Sequence, residues 1–355
     1  MEEVSSTKTI SRRTFLKSTA ALGIGGITGS LPYQSWAKSS SANATKNQTF
    51  KFKNGKFKVL QFTDTHYVAG DPRSERALKN VNQMLDIEKP DLVIHTGDVI
   101  FGKSAEQSLR EILGPMADRK IPFAVALGNH DGQFDKNRRE VTDIIRSIPY
   151  NINIGVEGIY GDTNDIITIE SAKDNTTKWV FYLFDSGDSL KEPTYEGYDY
   201  IRFDQIEWYR QHSNEFTKKN NGKPVPSIAF FHIPLQEFTY GLRYDTKRIL
   251  KGNFGEEPCP PNINSGLYSI MREQQDVQAI VCGHDHDNDY AMKWRGMFFI
   301  YGRFSGCDIV YNNLKPNGAR IFEFTEGVEG FQSWIREYGG KISQDLKFPE
   351  DFRTY

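Results

Sequence analysis

The sequence predicts an α/β fold with a parallel first half and a strand-rich second half. Three observations carry this reading. Apolar runs alternate with helical stripes at the start of the folded part, the mark of a parallel sheet covered by helices. Strand-like runs then dominate, beginning with two joined by a short polar turn. Asp, His and Asn residues follow directly on the ends of separate runs, where open α/β sheets build their sites.

The elements follow in order. Residues 57–62 (FKVLQF) read as a strand that ends at TDTHY. Ala77, Val81, Met84 and Leu85 form a helical stripe closed by Pro90. Residues 91–96 (DLVIHT) lead into Gly97-Asp98. SAEQ at 104–107 resembles a capping box, and Leu109, Ile112, Leu113 and Met116 follow at helical spacing. Gly114-Pro115 is expected to kink or shorten that helix. Residues 121–127 (IPFAVAL) run into GNHD, and Val141, Ile144, Ile145 and Ile148 give another stripe. Residues 165–169 and 178–184 read as an antiparallel pair around AKDNTT. A helix capped at Asp204, with Glu207 three residues on, comes next. Strands at 227–231, 277–282, 297–301 and 319–324 finish the sheet. Phe331, Trp334 and Ile335 predict a small C-terminal helix and tail over 328–355, after a main domain over 50–327.

Composition narrows the function. Net charge is −2 over 355 residues, so no strong field draws the chain to nucleic acid or anionic lipid. No basic patch with interleaved aromatics serves single-stranded nucleic acid. Three cysteines without close spacing make no disulfide framework, and Cys282 reads as a packed small hydrophobe. The N-terminus differs in kind. Residues 11–17 (SRRTFLK), a weakly apolar Gly/Thr-rich stretch and Ser-Trp-Ala37 resemble a twin-arginine export signal over 1–37. The apolar stretch is too short and interrupted for a stable membrane span. The expected partner there is the twin-arginine export machinery, and the expected location is periplasmic or extracellular. Residues 38–49 (KSSSANATKNQT) read as a flexible linker.

The residues past the strand ends are Asp64 and His66, Asp98, Asn129 and His130, His232, and His284 with His286. Five of the seven histidines fall in this set. Imidazole with carboxylate suits Zn, Fe and Mn, and the lack of cysteine ligands argues against structural zinc. The set exceeds what one ion needs. A shared carboxylate bridges two cations roughly 3.5–4 Å apart in sites that displace phosphoryl groups. Asp98 is the natural bridge.

In this order, D-x-H, G-D-x-x, G-N-H-D, a lone strand-end His and G-H-x-H resemble the calcineurin-like metallophosphoesterase superfamily. FHIP at 231–234 and GHDHDND at 283–289 are most similar to the branch of plant purple-acid-phosphatase-like proteins and their fungal and bacterial relatives. The resemblance implies a four-layer α/β/β/α sandwich with two metal ions (Mn, Fe or Zn) at the strand ends. It implies that Asp64, His66 and His286 hold the first metal, with Asp98 bridging, and that Asn129, His232 and His284 complete the second. His130 would protonate the leaving oxygen, with Asp131 orienting it. The implied reaction is hydrolysis of a small phosphate monoester by metal-bound hydroxide. One departure matters. Purple acid phosphatases carry D-x-G and G-D-x-x-Y, the tyrosine binding iron, whereas this chain has His66 and Phe101. The tyrosinate-to-iron colour is therefore not expected. Arg303, in YGRFSG, is a candidate phosphate contact. A phosphodiesterase or nucleotide hydrolase would use the same core, distinguished by the insertions at 160–200 and 238–261. A binding module on this fold is the non-enzymatic alternative.

Overall fold

The computed structural model describes residues 48–192, 195–245 and 247–353. The export-signal reading, and the linker reading up to residue 47, lie outside them. The first elements are β1 (Gln48–Lys51), β2 (Lys56–Phe62), α1 (Glu75–Glu88), β3 (Leu92–His95), α2 (Ala105–Asp118), β4 (Phe123–Val125) and α3 (Arg138–Ser147). Next come β5 (Asp165–Glu170), β6 (Thr177–Leu183), β7 (Ser189–Glu192), β8 (Tyr195–Tyr198), α4 (Phe203–Lys219), β9 (Ser227–Phe230), α5 (Gln236–Tyr244) and β10 (Ile249–Lys251). The last are α6 (Leu267–Gln274), β11 (Val277–Cys282), β12 (Ala291–Trp294), β13 (Met297–Tyr301), β14 (Gly318–Thr325), β15 (Phe331–Glu337) and β16 (Ile342–Phe348).

Two sheets result. One has the order β16-β15-β14-β2-β3-β4, and the other β1-β5-β6-β9-β11-β13-β12-β10. Strands β2, β3 and β4 are parallel, as are β6, β9, β11 and β13. Alternation along each strand decides the layers. Phe57 and Val59 of β2 join Phe181 of β6, Phe230 of β9 and Val281 of β11 in a core between the sheets. Leu60 and Phe62 of β2 instead pack on Val81, Met84 and Leu109 of the helices. The outer face of the second sheet packs Tyr182, Ala229 and Ile280 against Tyr209 and Met271. The layers are therefore α/β/β/α. Each fully buried Phe or Leu contributes about 2 kcal/mol of transfer free energy, so three clusters of this kind fix the strand ends firmly.

Local chemistry departs from expectation at four places. Ser104 sits in the left-handed region (φ 63°) and its side chain makes no cap; the Ala105 amide donates to Asp135 instead, at 3.2 Å. Pro115 stays inside α2, its ring buried, and the helix runs on to Asp118. At α4 the cap position is Arg202, whose amide donates to Gln205 Oε1 at 2.7 Å, while Asp204 accepts from the Tyr160 amide. In place of the expected C-terminal helix there is a β-hairpin: β15 pairs antiparallel with β14 and β16 antiparallel with β15, so the sheet does not stop at residue 327. Phe331 faces the inter-sheet core and Trp334 the helical face. With both faces covered, the period-two signal is hidden and a helical spacing appears in its place. Gln48 and Thr49, expected in the linker, pair with β5 as part of β1. Cys259, Cys282 and Cys307 are free thiols. No helix among the described residues is long and apolar enough to cross a membrane.

Candidate metal centre

Five strands end at one place. Asp64 and His66 follow β2, Asp98 follows β3, and Asn129 and His130 follow β4. His232 follows β9, and His284 and His286 follow β11. Asp64, His66, Asp98 and His284 all have positive φ, at 54°, 45°, 52° and 80°. Non-glycine residues rarely occupy that region, and they do so where the surroundings over-determine them. The neighbouring glycines permit the close approach. A Cβ on Gly128 would collide with Asp98, and one on Gly283 with Thr63 and Asp64.

The side chains converge as two triads, Asp64–His66–His286 and Asp98–His232–His284, all buried. His66 Nε2 lies 3.1 Å from His286 Nε2, and Asp64 Oδ1 lies 3.6 Å from His286 Nε2. In the second triad His232 Nε2 is 3.3 Å from His284 Nδ1 and 3.0 Å from Asn129 Oδ1. Asp98 Oδ2 stands between the triads, 3.2 Å from His232 Nε2 and 3.6 Å from His66 Nε2. Its other oxygen accepts the His130 amide at 2.8 Å.

The chemistry of this donor set fits cations. His286 Nδ1 donates to the Tyr311 carbonyl and His232 Nδ1 to the Thr96 carbonyl, each at 2.8 Å. Those bonds fix the tautomer and turn the Nε2 lone pairs inward. His66 Nδ1 has no such partner among the described residues. Lone pairs then face carboxylate oxygens and one another, an arrangement that repels itself unless positive charge lies between. Burial pushes His66 and His284 well below the usual imidazole range, so both stay neutral and able to ligate. Burial alone would lower His232 too, but Asp98 and Asp64 outweigh it and push it up to about 9. The carboxylates thus draw in a proton at the place where a cation would satisfy them better.

The structure brings together every expected ligand: Asp64, His66, Asp98, Asn129, His232, His284 and His286. Two other expectations change. Asp131 does not direct its carboxylate bonds at the His130 ring. It accepts four main-chain N–H groups, from Asp98, Val99, Ile100 and Gly128 at 2.7–3.2 Å. It therefore clamps the turns that follow β3 and β4, while His130 Nδ1 is held by Gln133 Oε1 at 2.7 Å. Arg303 is no phosphate contact. It is 2% exposed, its Nη1 pairs with Asp289 Oδ2 at 2.5 Å, and its remaining nitrogens donate to the Pro316 carbonyl. Buried without that pair, the guanidinium would be uncompensated. Gln133 and the Tyr311 carbonyl were not foreseen; one is a loop residue in no recognisable motif, the other a main-chain atom whose identity no side chain reveals.

A four-layer sandwich with paired histidine–carboxylate triads at its strand ends is the architecture of a metal-dependent phosphoesterase. Comparison with known proteins agrees. The sequence model of the family described as calcineurin-like phosphoesterase matches residues 57–288, and the chain belongs to that family. Its relatives include a "Probable inactive purple acid phosphatase 29" of Arabidopsis thaliana, 32% identical over 70% of this chain and 72% of that protein. The phosphatase DCR2 of Saccharomyces cerevisiae is 33% identical over 67% of this chain, which spans 45% of that longer protein. Among solved structures, a dimetal phosphatase from Danio rerio superposes with a TM-score of 0.57 at 14% identity, covering 82% of this chain and 98% of that one. That last likeness speaks for the fold.

Proposed function

We propose that the chain is a dinuclear metal-dependent phosphatase that hydrolyses small phosphate monoesters. The single observation behind this is Asp98 Oδ2 set between two buried triads, within 3.6 Å of a nitrogen of each. Asp64, His66, His286 and Asp98 would hold one cation, and Asp98, Asn129, His232 and His284 the other. Two cations there would supply Lewis acidity and lower the pKa of water, which phosphate ester cleavage needs. The protein's own residues do the rest. Asp131 fixes the main chain that carries Asp98 and Asn129. Gln133 orients His130 through Nδ1, leaving Nε2 to deliver a proton to the departing oxygen. The plant relatives have names that mark them as probable inactive proteins. Here Asp64, His66, Asp98, Asn129, His130, His232, His284 and His286 are all filled, which supports turnover.

The metals are Mn, Fe or Zn in this reading. Phe101 offers no oxygen, so an iron-loaded protein would lack the tyrosinate absorption. SRRTFLK at 11–17 supports export of the folded chain by the twin-arginine route to the periplasm or beyond. A reporter fused behind residues 1–37 should be exported, and Arg12→Lys with Arg13→Lys should stop it. The enzymatic test is hydrolysis of p-nitrophenyl phosphate and bis-p-nitrophenyl phosphate before chelation, after it, and after reloading with each metal. Chelator-sensitive cleavage of the monoester is expected. Preference for the diester would make the chain a phosphodiesterase or nucleotide hydrolase. No cleavage of either ester with any metal would overturn the enzyme reading.

A further inference from the structure

The phosphatase reading leaves open what alcohol the phosphate leaves behind, and the surroundings of His130 bear on that. The Phe101 ring stands edge-on to His130, with centroids 4.8 Å apart, and lies 5.3 Å from His66. Phe134 packs edge-on against Phe101 at 5.4 Å and remains 39% exposed. His130, Phe101 and Phe134 therefore form one continuous aromatic surface running outward from the metal ligands. Gln133, next in sequence to Phe134, holds His130 Nδ1, so the wall and the proton donor share one loop. Arg303 is turned away into its pair with Asp289.

Geometry decides where a leaving group goes. A proton from His130 requires the departing oxygen within about 3 Å of the ring. The first carbons of the alcohol then lie beyond that ring, along the surface made by Phe101 and Phe134. Binding sites for small molecules join a few placed polar groups to apolar and aromatic walls. An exposed Phe alone would be unremarkable on any surface. This one continues a stack of rings that begins at the proton donor.

We propose that Phe134, backed by Phe101, is the leaving-group subsite, and that the preferred substrates are phosphate esters of alcohols bearing an aromatic ring. The inference rests on the phosphoesterase reading but is separable from it by binding. The experiment compares benzylphosphonate with butylphosphonate by calorimetry on the metal-loaded protein, beside hydrolysis of benzyl and butyl phosphate, whose alcohols have similar acidity. The ring is expected to tighten binding about tenfold, the scale of one aromatic contact with its area. Phe134→Ala should remove that preference, weakening benzylphosphonate more than butylphosphonate, and Phe134→Trp should retain it. Equal affinity for the two phosphonates in the parent, or an equal loss for both in Phe134→Ala, overturns the proposal. Ring preference in binding without hydrolysis of either ester leaves the subsite standing and removes the catalytic reading.

Discussion

Two buried polar clusters lie close along the chain and differ in one respect. At the strand ends, Asp64, His66, Asp98, His284 and His286 turn acceptors toward one another, and a protonated His232 answers Asp98 as donor. Just past the same loop, Asp289, Arg303, Arg320 and Gln344 present donors to acceptors. Asp289 accepts from Arg303, Asn253 and Gln344, and its carbonyl accepts from Arg320. Burial lowers Arg320 to about 10, opposed by Asp289 and assisted by Arg303, so it remains charged at neutral pH. The second cluster closes without help and is structure. The first leaves acceptors facing acceptors, the arrangement that suits bound cations. Burial and charged residues are common to both, so neither property marks function; the matching of donors to acceptors does.

The comparison breaks most visibly at Asp98. Asp98→Ala removes the oxygen that faces His232 of its own triad and His66 of the other. Metal content by mass spectrometry should fall, and phosphatase activity should drop about a thousandfold or more. His130→Ala should lower kcat by about a hundred- to ten-thousandfold with metal content near that of the parent. Equal metal loss in both variants would erase the division between ligand and proton donor.

The satisfied cluster should respond in stability instead. Arg303→Ala leaves Asp289 without its buried partner and should cost about 3–5 kcal/mol in urea unfolding, while the folded fraction keeps its metals. A fall in metal content per folded chain with no loss of stability would merge the two clusters. The smallest effect is expected at Glu88, which ties α1 to the C-terminal hairpin through Trp334 Nε1 at 3.0 Å and Arg336 Nε at 2.6 Å. Burial raises its pKa, but the bonds to Trp334 and Arg336 and the charge of Lys58 outweigh it, so the folded value lies below 4.5. A depressed carboxylate stabilises the fold fully above its unfolded pKa and loses that contribution as pH falls through the folded value. Glu88→Gln should cost about 1 kcal/mol at neutral pH. That difference should shrink once the pH drops below 4.5. A difference that grows in acid would contradict the sign.

How much of this was legible follows the same line. The ligands could be read because each needs a particular side chain directly after an apolar run, and both signals are local. The strands β2, β3, β4, β9 and β11 are buried on both faces and read as short apolar runs. The left-handed backbone of Asp64 and His66 could not be read, because it is imposed by neighbours from other strands. The family resemblance made Asp131 an orienting carboxylate for His130, yet its bonds go to main-chain N–H groups of its own turn and of the turn after β3. Arg303 could be read equally as a phosphate contact or as a structural ion pair, because Asp289 and Pro316 meet it only in the fold. Strand β15 was hidden by its two covered faces, since Trp334 points to one core and Phe331 to the other.

The central claim is that two cations share Asp98. Crystals of the manganese-loaded protein, with diffraction recorded above the manganese edge, test it directly. The account predicts two anomalous peaks roughly 3.5–4 Å apart, one beside each triad, with Asp98 Oδ2 between them. A single peak, or peaks that leave Asp98 out of contact with either ion, would contradict it.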